Sequence, residues 1–269
     1  MMFTIFTAAI LATSAMAAPT KRASQPTVRD DAAGVMLLSE QKNPFTAIEA
    51  SFTVPEVKVP ASANGDGMYT AHIWTGLGMD ANKDFKNPGN SSLIRIGVRA
   101  STGKGTNGSS VTTYNAFYDI LPDLSVIANS TAFDVKPGDS ISADIHLESD
   151  NAGHTTQVDF VIKNARHNQT IGSYLSKQNA TATAAIKGGC ADFVVSGDSS
   201  KLPDFGTVNF AIGGLGAHGS FGPDNGTVAD AIGYLVNNGM FLNMGAGGKN
   251  LAETKVLNST SLQVKYVGA

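Results

Sequence analysis

Ser91-Ser92-Leu93-Ile94-Arg95-Ile96-Gly97-Val98-Arg99 alternates strictly, with Ile94, Ile96 and Val98 on one side and Leu93, Arg95, Gly97 and Arg99 on the other. A period of two over this length predicts a half-buried β-strand. Arg95 lies between two core-facing isoleucines, so it projects from a fixed point on a sheet face rather than from a loop.

Working outward, the same pattern recurs. Strands are expected over 47–54, ending at Pro55; over 68–77 after a Gly-Asp-Gly turn; over 93–100; over 111–121, stopping at Pro122-Asp123; and over 140–147 after Lys136-Pro137-Gly138-Asp139. Further strands are expected over 155–163, 170–174, 190–196, 207–212 and 261–267. Segments of this length, separated by Gly, Asn, Asp and Pro with almost no helical period, imply an all-β antiparallel sandwich or barrel. Residues 179–187 read equally as a helical turn or a strand, and Gly213 to Gly226 reads as a long mobile loop.

Composition is that of one ordinary domain: 269 residues, 42% hydrophobic, 15% charged, 29 glycines. The net charge of −3 and the lack of any basic cluster argue against nucleic acid as a partner. Met1 to Ala17 has an apolar centre and ends Ala15-Met16-Ala17, the form of a cleavable signal peptide and too short to span a bilayer, so a secreted protein without a membrane partner is expected. Residues 18–30, with the dibasic Lys21-Arg22, read as a linker or propeptide, and 31–269 as the single sandwich domain. Sequons at Asn90, Asn107, Asn129, Asn168, Asn179, Asn225 and Asn258 point to a glycoprotein with these asparagines on the surface. Cys190 is the only cysteine, so no internal disulfide forms. No His/Cys cluster has metal-ligand spacing, no Gly-x-Ser-x-Gly elbow is present, and neither metal nor cofactor is expected. A monomer is expected.

The informative residues are those facing away from the core. Alternation leaves His72 and Trp74 on one such face, Arg95 on the next strand, Asn115, Phe117 and Asp119 on a third, and Asp192 on a fourth. Aromatic walls with a few polar groups on a curved sheet make a binding groove.

These residues also carry a resemblance. Ala50-Ser51-Phe52-Thr53-Val54-Pro55, Ile73-Trp74-Thr75-Gly76-Leu77-Gly78, Leu93-Ile94-Arg95-Ile96-Gly97-Val98, Tyr114-Asn115-Ala116-Phe117-Tyr118-Asp119 with Pro122-Asp123, Cys190-Ala191-Asp192-Phe193-Val194-Val195 and Phe205-Gly206-Thr207-Val208-Asn209-Phe210 follow the order and approximate spacing of the fungal glutamic peptidases, or eqolisins. The resemblance implies a secreted acid endopeptidase, a concanavalin-like sandwich of two antiparallel sheets (the lectin/glucanase type of jelly roll), and a catalytic glutamine–glutamate pair on the concave sheet. Arg95 stands at the place of that glutamine and Asp192 at the place of that glutamate. Trp74, Phe117, Asp119, Asn115 and His72 are the expected substrate-binding residues.

The family reaction needs a carboxyl to activate water and an amide to stabilise the oxyanion. Asp192 is one methylene shorter, and a shift of about 1 Å can cost on the order of 100-fold in rate. Arg95 is expected to pair with Asp192 across the groove and hold it ionised. Three readings follow: an acid endopeptidase with an Arg95/Asp192 pair, in which Asp119 shares a proton with Asp192; a catalytically silent relative, a pseudoenzyme, binding a peptide or glycan in the same groove; and a structural sandwich with no site. Exposed Trp74 and Phe117 would argue against the last, and burial of both would favour it.

Overall fold

The computed structural model describes residues 26–39, 44–63, 67–78, 92–104, 108–121, 124–128, 131–149, 155–176, 186, 188–217, 239–258 and 261–268. The expected signal peptide and Lys21-Arg22 lie outside these residues, as does 179–187 apart from a buried Ile186.

The strands are β1 (Thr27–Arg29), β2 (Ala32–Leu38), β3 (Phe45–Thr53), β4 (Met68–Leu77), β5 (Leu93–Lys104), β6 (Ser110–Leu121), β7 (Leu124–Ile127), β8 (Ser140–Ser149), β9 (Thr155–Asn164), β10 (Gln169–Ser176), β11 (Cys190–Ser196), β12 (Thr207–Ala217), β13 (Gly239–Ala246), β14 (Lys249–Asn258) and β15 (Ser261–Tyr266). One hydrogen-bonded path runs β10-β9-β8-β3-β12-β15-β14-β13-β2-β11-β4-β5-β6-β7. Every pairing on it is antiparallel, while β1 joins β13 in parallel. The path folds over on itself into a sandwich. Ile73, Ile96, Val98, Phe193 and Val195 from one layer share a core with Ile48, Phe52, Ile141, Phe160 and Phe210 from the other. Ring pairs cross between the layers, Tyr118–Phe160 at 4.6 Å and Phe193–Phe210 at 6.4 Å.

Two features depart from the sequence reading. The last residues of the stretch expected as linker form β1, with Thr27 and Val28 as natural strand formers. Gly213–Ala217, expected at the start of a long loop, continues β12 against β3 through a register shift between Ile212 and Gly214, and 218–226 lies outside the described residues.

Asp139 pins the turn before β8. Its fully buried carboxylate accepts from the Lys136 amide at 2.9 Å, from Asn164 Nδ2 at 2.8 Å and from Arg166 Nη1 at 3.3 Å. Burial alone would raise this carboxyl, but the bonds from Asn164, Lys136 and Arg166 and the charge of His167 bring it below its ordinary value. Of the sequons, Asn168 and Asn258 fall among the described residues, and both are exposed. Asn168 adopts φ 51° in the β9–β10 turn, a left-handed conformation asparagine tolerates. The other five sequons lie outside the described residues.

Candidate functional site

The site lies on the face of β2, β11, β4, β5 and β6 that points away from the shared core. Here Ala32, Met36, Trp74, Leu93, Phe117, Cys190, Val194 and Leu242 form a second, smaller apolar cluster. The pairing register lays the candidate residues out in rows across the strands. One row is Met36, Asp192, Gly76, Arg95, Asp119. The next is Val194, Trp74, Gly97, Phe117, and the third is Ser196, His72, Arg99, Asn115. All seven residues singled out from the sequence are thus brought to one face.

Arg95 and Asp192, however, do not meet. Gly76 stands between them in the row, which sets their backbones two strand spacings apart, roughly 10 Å. The gap over Gly76 is filled by Trp74: a Cβ placed on Gly76 would come within 2.8 Å of Trp74 Cζ3. The indole, carried by the strand between β11 and β5, therefore separates the aspartate side of the face from the arginine side. Its N–H donates to Ser196 Oγ at 2.8 Å, which fixes the ring along β4.

Arg95 pairs instead with its neighbour in the row on the opposite side. Its Nε donates to Asp119 Oδ2 at 2.7 Å, with Arg95 15% and Asp119 3% exposed. The guanidinium carbon lies 5.6 Å from the Trp74 ring and 5.5 Å from the Phe117 ring, so the cation is held between two aromatic faces. Gly97, in register between Trp74 and Phe117, contributes no side chain to that space. The expected Arg95–Asp192 ion pair is thus replaced by Arg95–Asp119, because adjacent strands bring charges together and a wedged indole keeps them apart. The register also overturns proton sharing between Asp119 and Asp192, which are three strand spacings apart, roughly 14 Å.

Asp192 is fully buried, and neither carboxylate oxygen has a hydrogen-bond partner among the described residues. Thr75 Oγ1 donates to its backbone carbonyl at 2.9 Å, locking the strand but not the carboxyl. Burial holds the acid well above the usual carboxylate range, against the attraction of Arg29. The side chain is therefore a neutral acid over a wide pH range, where the sequence led to the expectation of an ionised one. Arg29 is itself bonded to Asp31 at 3.0 Å.

Trp74 and Phe117 are buried, at 0% and 3%, and so are not the open aromatic walls expected of them. They lie beneath Arg95, and their burial by itself favours a purely structural role. What opposes it is a cleft of about 330 Å³, lined by His72 and Arg95 together with Asp31, Leu121, Ser196, Gly197 and Asp198. His72 stacks edge-on against Phe117 at 5.3 Å. Burial, followed by the charges of Arg95 and Arg99, lowers it to about 4, so it is a neutral imidazole near neutral pH. Asn115 is half-buried beside Arg99 at the cleft's margin.

Five lining residues, Asp31, Leu121, Ser196, Gly197 and Asp198, were not read from the sequence. Ser196 was legible in principle, since it shares the Asp192 face at a spacing of four along an alternating strand. Asp31 and Asp198 flank strands as ordinary turn acids, and nothing in the local pattern marks them.

The fold has known counterparts. The crystal structure of scytalido-glutamic peptidase with a transition state analog inhibitor aligns over 90% of this chain and all of its own, at 16% identity and a TM-score of 0.62. SCP-B, a member of the eqolisin family solved in complex with the tripeptide Ala-Ile-His, aligns over the same shares at 16% identity and a TM-score of 0.57. No curated protein matches the chain in sequence. The sequence profile of the Peptidase A4 family matches residues 30–266, nearly the whole described sandwich, and on that match the chain belongs to the Peptidase A4 family.

Proposed function

We propose that this protein is a secreted, glycosylated member of the glutamic peptidase family that binds an extended polypeptide in the cleft over β11, β4, β5 and β6 without cleaving it. The observation that carries the reading is the state of Asp192, which stands where the family has its catalytic glutamate. A general base must lie within hydrogen-bond reach of the water it activates and must be ionised to act. Asp192 is sealed from solvent, and burial pushes its carboxyl well above the usual range, which favours the protonated form. Arg95, at the place of the family's glutamine, is tied to Asp119, and Trp74 stands between the two positions.

The polypeptide ligand is supported by the tripeptide and the inhibitor that the two similar structures hold. Secretion is supported by the form of residues 1–17, and glycosylation by exposed sequons at Asn168 and Asn258. A monomer is the simplest state for such a domain. A glycan ligand is the alternative occupant of the cleft.

The second reading, an acid endopeptidase with an altered pair, is favoured by family membership itself. Hydrolysis of a denatured protein from pH 2 to 7 separates the two. The natural chain is expected to be inactive, and the Arg95→Gln/Asp192→Glu double variant to gain activity if the groove is otherwise intact. Hydrolysis by the natural chain that disappears in Asp192→Ala would overturn the silent reading and establish a peptidase.

A further inference from the structure

We infer that Arg95 is a carboxylate receptor, and that the cleft recognises polypeptides through a carboxylate group seated on the unused Nη edge of its guanidinium; this rests on the polypeptide-binding reading above. The argument begins with what Arg95 leaves unspent. Arginine carries five N–H donors in a planar fork. Nε is used on Asp119 at 2.7 Å, and the two Nη groups have no acceptor among the described residues. The side chain is nonetheless largely buried, and it lines the cleft.

The fork is also held in place. Trp74 and Phe117 hold the guanidinium between them, Asp119 fixes its near edge, and β5 fixes its root. A planar cation immobilised on three sides loses little freedom on accepting a carboxylate through both Nη groups, the geometry that makes bidentate arginine–carboxylate bonds strong.

The surrounding charge has the right sign at this end of the cleft. Asp119 balances Arg95, and Arg99, on the same face four residues along, has no ion pair among the described residues. His72 is lowered first by burial and then by the charges of Arg95 and Arg99, which lie on the same face. Asp31 is bonded to Arg29, and Asp198 caps the short turn Ser199–Lys201. A peptide supplies a carboxylate from two sources, its C-terminus or an acidic side chain, and the receptor chemistry is the same for both.

The test uses the full chain at pH 6 and three peptide probes, with N-acetylphenylalanine as a non-peptide control: acetyl-Ala-Ala-Ala-Ala-Phe with a free C-terminal carboxylate, the same peptide as its C-terminal amide, and that amide with one internal alanine replaced by aspartate. Binding is read by calorimetry and by the fluorescence of Trp74, the only tryptophan in the chain and in contact with the proposed receptor. The free acid, the aspartate-bearing amide, or both are expected to bind about 10- to 100-fold more tightly than the plain amide. Which of them does so identifies the source of the carboxylate. Arg95→Gln/Asp119→Asn, which removes both charges while keeping a hydrogen-bonding pair and so leaves no buried unpaired acid, is expected to abolish the difference while melting cooperatively. Arg95→Lys is expected to lose most of it.

Equal affinity for all three probes would overturn the carboxylate inference and leave polypeptide binding standing. N-acetylphenylalanine binding through Arg95 as well as the free-acid peptide does would uphold the inference and remove the polypeptide reading. Absence of binding by every probe would overturn both.

Discussion

The pH dependence of stability is the sharpest test of the site as described, because two groups on the same face pull in opposite directions. Asp192 has its carboxyl raised by burial, with Arg29 opposing. A group raised in the folded state favours folding fully below its unfolded value, near 3.9, and that contribution is lost as pH climbs toward the folded value. Each pH unit in this window removes about 1.4 kcal/mol. His72 is lowered from 6.5 to about 4 by burial and then by Arg95 and Arg99. Its contribution is present above 6.5 and is lost as pH falls toward 4, at the same slope, for a total of about 3 kcal/mol. Where both groups titrate, from pH 4 upward, the two slopes oppose each other, and the natural chain is expected to show a weaker pH dependence than a chain lacking either group. Asp192→Asn removes the falling slope, so its stability relative to the natural chain climbs with pH above 4. His72→Gln does the reverse, falling steadily from pH 4 upward. Urea unfolding followed by Trp74 emission at half-unit pH steps measures all three. His146, raised chiefly by its bond to Asp144, titrates alike in each chain and cancels in the differences. If the difference in stability between Asp192→Asn and the natural chain does not change with pH above 4, the Asp192 carboxyl is not raised in the folded protein, and the raised-acid account of the site is wrong.

Other expectations are simpler. Replacing Asp139 by alanine strands the Asn164 amide and the Lys136 N–H in a buried turn and is expected to destabilise by about 2–4 kcal/mol at pH 7; because this carboxyl is lowered, the deficit shrinks below pH 4, which denaturant midpoints at pH 7 and pH 3 will reveal. Gly97→Ala puts a Cβ 2.0 Å from the Ile73 carbonyl across the β4–β5 ladder, and a loss of about 3 kcal/mol or more, seen as a lower melting temperature or failure to fold, is expected. Ser196→Ala leaves the buried Trp74 N–H without this acceptor and is expected to cost about 1–3 kcal/mol with a shift in Trp74 emission; an unchanged spectrum would mean that the indole is positioned by packing alone. Phe193→Ala opens the interlayer core where Phe193 meets Phe210 and is expected to cost about 3–5 kcal/mol in urea unfolding.

The strands legible in the sequence were those whose polar and apolar residues alternate or whose ends carry turn residues. β4 and β11 have the limits read from alternation and punctuation, and β5 was read from its first residue. β2 escaped because Ala-Ala-Gly-Val-Met-Leu-Leu is buried on both sides, and a continuous apolar run carries no period. β13 and β14 escaped for a related reason: Gly239–Ala246 begins and ends in small residues and Lys249–Asn258 is broken by charge, so neither stands out from its surroundings. The face assignments were legible in full, since a two-residue period decides them locally: Ile94, Ile96, Phe193 and Ala116 fall in the shared core, and Arg95, Asp192 and Phe117 on the reverse side. Who touches whom was not legible. Register between strands depends on sheet order, and nothing local to Arg95 tells that β6 rather than β11 lies beside it.

The position of β2 has a consequence for how the chain comes into being. Its two partners, β11 and β13, are Cys190–Ser196 and Gly239–Ala246, so β2 must wait for strands that are synthesised well after it. At about 5–20 residues per second, the roughly 150 residues separating β2 from β11 take on the order of 10–30 seconds to emerge. Throughout that interval a wholly apolar segment has no sheet to enter. The strand that carries Asp192 is flanked by β2 and β4, and is therefore closed on both sides only late, when the nascent chain folds back to its own beginning.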